Sequence, residues 1–150
     1  MIMSFMRHVV ILTGLLVAAF AASTVKRNKR QAYELPDGSH LLLYQSLSPS
    51  FRCPGDGYYA DVDNNCQIFH VCHTVTLPSG SSQFQHHSFL CGNQTIFNQL
   101  SLTCAHPEDA IPCQSAPDFF YLNGYIGDRN APFLNDEDVA RGEAYKNGRK

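Results

Sequence analysis

Six cysteines carry the clearest potential chemistry in this sequence, because thiols can form disulfides, bind metals or attack substrates. All six lie between Cys53 and Cys113, with the spacing C-x12-C-x5-C-x18-C-x12-C-x8-C. A stretch this short buries too little apolar surface to fold without cross-links, which favours disulfides. We therefore predict three disulfides, each contributing about 2–4 kcal/mol by limiting the unfolded chain.

Histidines and acids form two weaker patterns that could bind metal ions. Four histidines lie on neighbouring predicted strands, where two or three could approach one ion: His70, His73, His86 and His87. We interpret them as polar residues of a sheet surface, since the cysteines are already used. Residues 61–65 hold two aspartates and two asparagines, but lack the glycine and bidentate glutamate of an EF-hand loop. The prediction is that the protein has no metal site.

Catalytic motifs are missing from the sequence. It contains no Gly-x-Ser-x-Gly nucleophile motif and no zinc-protease motif. The paired acids Glu108 and Asp109 are adjacent, and nothing around them suggests a framed cleft. We predict that the protein is not an enzyme and uses no cofactor.

Short strands are needed to hold the cysteines in position. Residues 66–72 are rich in β-branched and aromatic side chains and lack Gly and Pro, which predicts a strand. In that strand Cys66 and Cys72 would face the same side about 20 Å apart. A disulfide needs Cα atoms within about 7 Å, so each of the two must pair elsewhere.

Two further strands complete the predicted sheet. Residues 83–90 form one, after the turn at 78–82, and residues 57–60 form the other. Residues 95–97 and 102–104 predict a small hairpin, which a bond between Cys91 and Cys104 could close. The predicted fold is a small disulfide-rich all-β domain, with a three-stranded antiparallel sheet and a two-stranded hairpin.

The N-terminal residues are typical of a secreted precursor. Arg7 and His8 precede a 14-residue apolar run at 9–22, shorter than the roughly 20 residues a membrane-spanning helix needs. Small residues follow, so residues 1–23 are predicted to be a signal peptide. Residues 24–30 are basic and predict a propeptide that is cut after Arg30; the alternative is a solvated charge cluster.

Polar flanks surround the cysteine-containing part. Residues 31–52 are predicted to be a linker with a partner-docking or extended segment at 41–44, or alternatively a strand added to the sheet edge. Residues 114–150 are predicted to be an acidic, largely disordered tail. A short helix from Asn135 to Arg141, capped by Asn135 or Asp136, is compatible with that tail. The tail ends in Gly148-Arg149-Lys150, which is similar to an amidation signal, although a solvated basic end is favoured.

Charge excludes some partners. The chain has 11 Lys and Arg against 13 Asp and Glu, and five of these bases but no acid lie in residues 1–30. The remaining chain has 6 bases and 13 acids, a formal charge of −7. Nucleic acids and anionic membranes are therefore disfavoured as partners, whereas a neutral or partly cationic partner is suitable.

Asn93-Gln94-Thr95 is an N-glycosylation sequon.

The cysteine spacing and the residues around it match a known pattern over residues 53–113. The matching pieces are Cys53-Pro54, Gly57-Tyr58-Tyr59-Ala60-Asp61, Asn65 to Cys72, Phe89-Leu90-Cys91, Ile96-Phe97-Asn98, Thr103-Cys104, His106-Pro107 and Ile111-Pro112-Cys113. In these motifs the chain resembles the chitin-binding type-2, or peritrophin-A, domain of arthropods and other invertebrates. The Cys-x-x-Phe-His-x-Cys motif is similar to that of single-domain cuticular proteins analogous to peritrophins and of short centipede venom proteins.

The resemblance implies both structure and function. It implies a sheet followed by a hairpin, binding of chitin, and the disulfides Cys53–Cys72, Cys66–Cys113 and Cys91–Cys104. One position departs from the family pattern: the family often has an aromatic residue two positions after its fifth cysteine, where this chain has His106. If that aromatic contacts sugar in relatives, affinity here is lower.

Chitin binding would rely on aromatic rings that cover the apolar faces of the sugars. Strand parity places Cys66, Ile68, His70 and Cys72 on one side and Phe69 and Val71 on the other. The residues predicted to face the ligand are Tyr58 or Tyr59, Phe69, Phe97 and Asn98. The alternative is that Phe69 and Phe97 form the core.

The predicted function is therefore secreted, non-enzymatic binding of chitin in an extracellular matrix such as cuticle or peritrophic matrix, with other matrix proteins as further partners. One alternative is a secreted venom or defence effector on the same scaffold. Another is a precursor that releases an amidated tail peptide.

Overall fold

The computed structural model of the chain describes residues 33–148. The predicted signal peptide and the cleavage site at Arg30 lie outside the described residues. Within residues 33–148 no helix is both long and apolar enough to cross a membrane.

A three-stranded antiparallel sheet forms the first half of the domain, as predicted. Its strands are β1 (Gly57–Ala60), β2 (Ile68–Thr76) and β3 (Ser82–Leu90), in the order β1-β2-β3. Buried and more exposed residues alternate over the first half of β2, which confirms the predicted strand parity from residue 68 on.

The strand limits differ from prediction at one end of β2. Asn65 and Cys66 have left-handed backbone conformations, with φ of 54° and 56°, directly after the 3-10 turn Val62–Asn64. A left-handed backbone cannot continue a pleated strand, so β2 begins at Ile68. At its other end β2 runs on to Thr76, because its pairing with β3 continues almost to the turn.

A two-stranded hairpin follows the sheet and confirms the second predicted element. It consists of β4 (Ile96–Asn98) and β5 (Thr103–Ala105). The side chain of Asn98 stabilises its turn, since Oδ1 accepts hydrogen bonds from the backbone N–H groups of Leu100 (3.2 Å) and Ile111 (3.3 Å).

All six cysteines are bonded, in the pairs Cys53–Cys72, Cys66–Cys113 and Cys91–Cys104. These are the pairs that the family resemblance implies. The Cys53–Cys72 bond joins β2 to the segment that precedes β1, and the Cys91–Cys104 bond closes the hairpin. The second spans 47 residues and joins the entry of β2 to the C-terminal segment.

The C-terminal segment differs from the predicted disordered tail. It contains a 3-10 helix at Cys113–Tyr125 and an α-helix, α1, at Asp136–Asn147. Two fully buried residues of the 3-10 helix, Phe119 and Leu122, pack with Leu100 and Ile111 in a second core. These apolar contacts stabilise a segment whose average composition is polar.

Helix α1 packs against the same core. Asn135 caps it through a reciprocal pair of hydrogen bonds with Asp138, at the capping residue proposed from the sequence. The Arg141 guanidinium lies 5.3 Å from the ring centre of Phe119. Gly142 lies so close to Leu100 that a Cβ at position 142 would overlap its side chain.

Residues 33–52 do not add a strand to the sheet edge. They fold over the domain with one short 3-10 helix, Ser39–Leu41. Gln67 receives a hydrogen bond from the Tyr44 N–H at 2.7 Å and donates one to the Leu42 carbonyl at 2.9 Å. Asn64 makes a similar reciprocal pair with the backbone of Ser48. The segment expected to be a linker is therefore bonded to the domain.

Side-chain amides cover the outer edge of β1. Gln99 donates to the Tyr58 carbonyl and accepts from the Ala60 N–H, both at 2.8 Å. Asn123 accepts from the Tyr58 N–H at 2.7 Å and donates to the Tyr58 carbonyl at 3.1 Å. Gly57, with φ of 144°, permits this approach because any Cβ there would overlap Asn123.

Candidate functional site

The two faces of the sheet differ in their environment. Paired residues of antiparallel strands point to the same side, so the register assigns every side chain to a face. We call one side the open face; it carries Tyr58, Phe69, Val71, His87 and Phe89. We call the other side the closed face; it carries Tyr59, His70, Cys72, His86 and Ser88.

Aromatic residues of the N-terminal segment cover the closed face. The ring of Phe51 stacks on the His70 imidazole, with centroids 4.0 Å apart and planes 17° apart. The ring of Tyr33 packs edge-on against His70 at 5.1 Å. The Tyr33 hydroxyl donates to Asp61 Oδ2 at 3.0 Å. The part of the closed face around His70 is therefore covered and not accessible to a polymer.

A buried polar network lies beneath these rings. His70 Nε2 is 2.9 Å from Asp61 Oδ2, and His70 Nδ1 is 2.8 Å from Ser88 Oγ and 3.0 Å from His86 Nε2. Burial raises the pKa of Asp61, but hydrogen bonds from His70 and Asn64 outweigh it, and the pKa lies below its ordinary value.

Asp61, His70 and Ser88 are hydrogen-bonded in this order and are the residue types of a hydrolase catalytic triad. Both Asp61 and His70 are fully buried, however, and Phe51 covers the imidazole. Ser88 is also buried, so its hydroxyl is not presented to a substrate at the surface. The network instead joins the N-terminal segment to the sheet, because Tyr33 bonds to the same Asp61 carboxylate.

A metal ion has few ligands available near these histidines. The ligand atoms of Cys53, Cys72 and His86 all lie within 4.8 Å of one another. Both sulfurs belong to a disulfide, so His86 is the only member of this group that can donate to a metal. His73 is separate, on the open face, with its Nδ1 3.6 Å from the Asp56 carboxylate.

His86 makes stability depend on pH. Burial lowers the pKa of His86 to about 4, and the electrostatic effects of His70, His87 and Arg52 act in the same direction, against a smaller opposing effect of Asp61. The unfolded chain takes up this proton near pH 6.5 and the folded chain only near pH 4, so acid favours unfolding. We expect the free energy of unfolding to fall by roughly 1–2 kcal/mol between pH 6.5 and 4.5, after discounting for partial exposure.

Urea unfolding at the two pH values measures this change. A His86→Gln variant should lose less stability on acidification than the native chain, whereas a variant at the exposed His106 should behave like the native chain. Equal losses in all three proteins would contradict the role of His86. Protonation of Asp61 also lowers the free energy of unfolding, but in a different pH range, below pH 3.8.

Three phenylalanine rings form a continuous stack at one end of the open face. Phe97 lies 4.4 Å from Phe69, with planes 15° apart, and Phe69 lies 5.3 Å from Phe89, with planes 21° apart. Exposure increases along the stack: Phe97 is 3% exposed, Phe69 is half-buried and Phe89 is 46% exposed. The stack therefore extends from the core to the surface.

The predicted ligand-facing residues separate into two groups in the structure. Tyr58, 37% exposed, and the half-buried Phe69 lie on the open face. Tyr59 is buried on the closed face, between Phe51 and Phe120. Phe97 and Asn98 are buried in the hairpin. Phe97 and Tyr59 therefore lie in the core, and Asn98 has a structural role in its turn.

Phe89 and His87 were not among the predicted site residues. Strand parity alone places residues 85, 87 and 89 on one face of β3. Which face that is depends on the register with β2, which pairs Phe89 with Phe69 and His87 with Val71. The pattern within one strand could not supply that register.

Two other predicted positions are on the surface. Asn93 of the sequon is exposed in the loop between β3 and β4. His106, at the position where the family often has an aromatic residue, is exposed just after β5.

Comparison with known proteins gives one family and two relatives. Residues 53–113 match the family model described as Chitin binding Peritrophin-A domain. U-scoloptoxin(01)-Cw1a of Cormocephalus westwoodi is 39% identical over 71 residues, which are 46% of this chain and 53% of that protein. U-scoloptoxin(01)-Er1a of Ethmostigmus rubripes is 34% identical over 79 residues, 51% of this chain and 60% of that protein.

The chain therefore spans little more than half the length of these curated relatives. No solved structure matches the chain.

Proposed function

We propose that this protein, whose residues 53–113 form a chitin binding Peritrophin-A domain, is secreted and binds chitin in an extracellular matrix such as cuticle or peritrophic matrix, without altering it chemically. One observation carries the proposal: the segment that matches the family also presents the open face, where aromatic side chains reach the surface on a disulfide-bonded sheet.

The open face suits a neutral sugar polymer. N-acetylglucosamine rings have apolar C–H faces, which aromatic rings cover, and polar edges, which need hydrogen bonds. Tyr58, Phe69 and Phe89 supply the rings, and His87 and Gln85 supply polar groups beside them. No Asp, Glu, Lys or Arg lies in β1, β2 or β3. Weak contacts to each sugar add up along a repeating polymer.

Secretion is supported by the chemistry of the cysteines. Disulfides persist in oxidising compartments, and all six cysteines of this chain are bonded. The proposed mature protein has lost residues 1–23, is cut after Arg30 and is glycosylated at Asn93. Mass spectrometry of the secreted protein tests all three; an N-terminus at Thr24 or earlier would exclude the cut.

A venom role is a second candidate, because both relatives carry scoloptoxin names and come from centipedes. Expression confined to a venom gland would favour it, whereas expression in cuticle-forming or gut tissue would favour a matrix role. Release of an amidated tail peptide has less support, since α1 packs against Phe119 and Leu100 and its release would open the second core.

Retention on chitin beads tests the proposed function. Oxidised mature protein should remain on chitin through washing in physiological salt and should pass through a matched cellulose column. Reduced and alkylated protein should pass through both, because the sheet depends on its cross-links. Oxidised, monomeric protein that passes through chitin unretained would overturn the proposal.

A further inference from the structure

We propose that Phe89 is the residue on which an N-acetylglucosamine ring of the polymer stacks. This inference rests on the proposed function and goes further, because it selects one ring among the aromatic residues of the open face.

Ring accessibility makes the selection. Phe69 has an aromatic neighbour on each side, Phe97 at 4.4 Å and Phe89 at 5.3 Å, so other rings already cover both of its faces. Phe97 is buried. Phe89 is the outer member of the stack: one face packs on Phe69, and within residues 33–148 no other ring stacks on it. A sugar would continue the stack by one more ring.

The position of Phe89 is fixed before any ligand arrives. Its backbone is paired with that of Phe69, in the central strand of the sheet. Two residues further on, Cys91 is bonded to Cys104 of β5. The inner rings pack behind it and belong to the core. A ring held in this way loses little conformational freedom on binding, which favours affinity.

The residues beside Phe89 suit a neutral sugar. His87 lies two residues earlier on the same strand and face and is exposed, about 7 Å along the strand. That spacing places an imidazole hydrogen-bonding group near the edge of a sugar stacked on Phe89. No residue of β2 or β3 carries a carboxylate, an ammonium or a guanidinium group.

β3 supplies a matched control residue. Phe84 is 50% exposed, close to the 46% of Phe89, and both belong to the same strand. Phe84 pairs with Thr74 and therefore points to the face opposite that of Phe89. The Phe89→Ala and Phe84→Ala variants remove the same apolar group from the same strand and differ in the face that loses it.

Affinity for soluble chitin oligosaccharides and retention on chitin beads should be measured for both variants, with thermal midpoints. We expect Phe89→Ala to weaken binding at least about fivefold and Phe84→Ala to leave it unchanged. Phe89→Tyr keeps a flat ring and should bind nearly as well as the native protein. Thermal midpoints of both alanine variants should remain close to that of the native protein, since half of each ring is already exposed.

The outcomes separate this inference from the proposed function. If Phe89→Ala binds normally while Tyr58→Ala does not, the stacking residue is wrong and chitin binding stands. If both phenylalanine variants weaken binding equally, general hydrophobicity explains the effect and the inference fails. If Phe89→Ala weakens binding only in proportion to a large fall in its midpoint, Phe89 is a core residue and the inference also fails. If the native protein does not bind chitin, the proposed function itself fails.

Discussion

Replacement of both Cys66 and Cys113 by alanine is expected to cost about 4 kcal/mol of folding free energy. Their bond spans 47 residues, the longest of the three, and the loss of unfolded-state entropy that a cross-link causes grows with the length of its loop. Domains of this size have total stabilities near the low end of about 5–15 kcal/mol. The variant should therefore keep only about 1 kcal/mol of stability, so that a measurable fraction of its molecules is unfolded without denaturant.

Urea unfolding, followed by circular dichroism, measures this loss. The matched control is the double alanine variant of Cys91 and Cys104, whose loop of 13 residues predicts about 3 kcal/mol. If the hairpin variant proved less stable than the Cys66–Cys113 variant, loop length would not be the dominant effect. In that case local packing around each sulfur would set the stability.

Phe119→Ala is expected to cost about 3–5 kcal/mol, although it lies outside the residues that match the domain family. Its ring is fully buried and contacts Tyr145 and the Arg141 guanidinium of α1. Removal of the ring leaves a cavity in the second core and separates α1 from the 3-10 helix.

The control for this variant is Phe133→Ala, in the same C-terminal segment, where the ring is exposed. We expect that change to alter the free energy of unfolding by less than about 0.5 kcal/mol. If both variants had the same small effect, residues 114–147 would not pack on the domain, and the disordered tail expected from the sequence would be the better description.

Local patterns were sufficient to predict the sheet and the hairpin. β2 is rich in β-branched and aromatic residues, and its buried residues alternate with more exposed ones over its first half, whereas β3 is marked mainly by the turn residues before it. The disulfide pairs, by contrast, came from the family resemblance, because spacing alone leaves several pairings open. Asn65 is of a residue type that adopts the left-handed conformation readily, but Cys66 is not, so the sequence did not reveal that β2 begins only at Ile68.

The C-terminal segment was mispredicted for a physical reason. Its first element is a 3-10 helix with Pro117 inside it, so its buried residues do not follow the 3.6-residue period of an α-helix. Phe119 and Leu122 are three residues apart and are buried by Leu100 and Ile111, which are distant in sequence. Composition describes the segment alone and contains no information about those distant partners.

The candidate site depends on register in a similar way. The sequence indicates that Tyr58 and Tyr59 point to opposite sides, but not which side is covered. That choice depends on Phe51 and Tyr33, which lie before the domain and close one face of the sheet. The exposed end of the ring stack at Phe89 follows from pairing between two strands.

The side-chain amides of Gln99 and Asn123, which bond to the outer edge of β1, affect the tendency of the protein to aggregate at high local concentration. Many molecules bound to one fibril would be held at high local concentration, conditions in which unpaired strand edges join into fibrous aggregates. At β1 the peptide groups of Tyr58 and the Ala60 N–H are already engaged within the same chain. Pairing of neighbouring copies through this edge of β1 is therefore disfavoured, which would keep the molecules separate if many of them bound to one fibre.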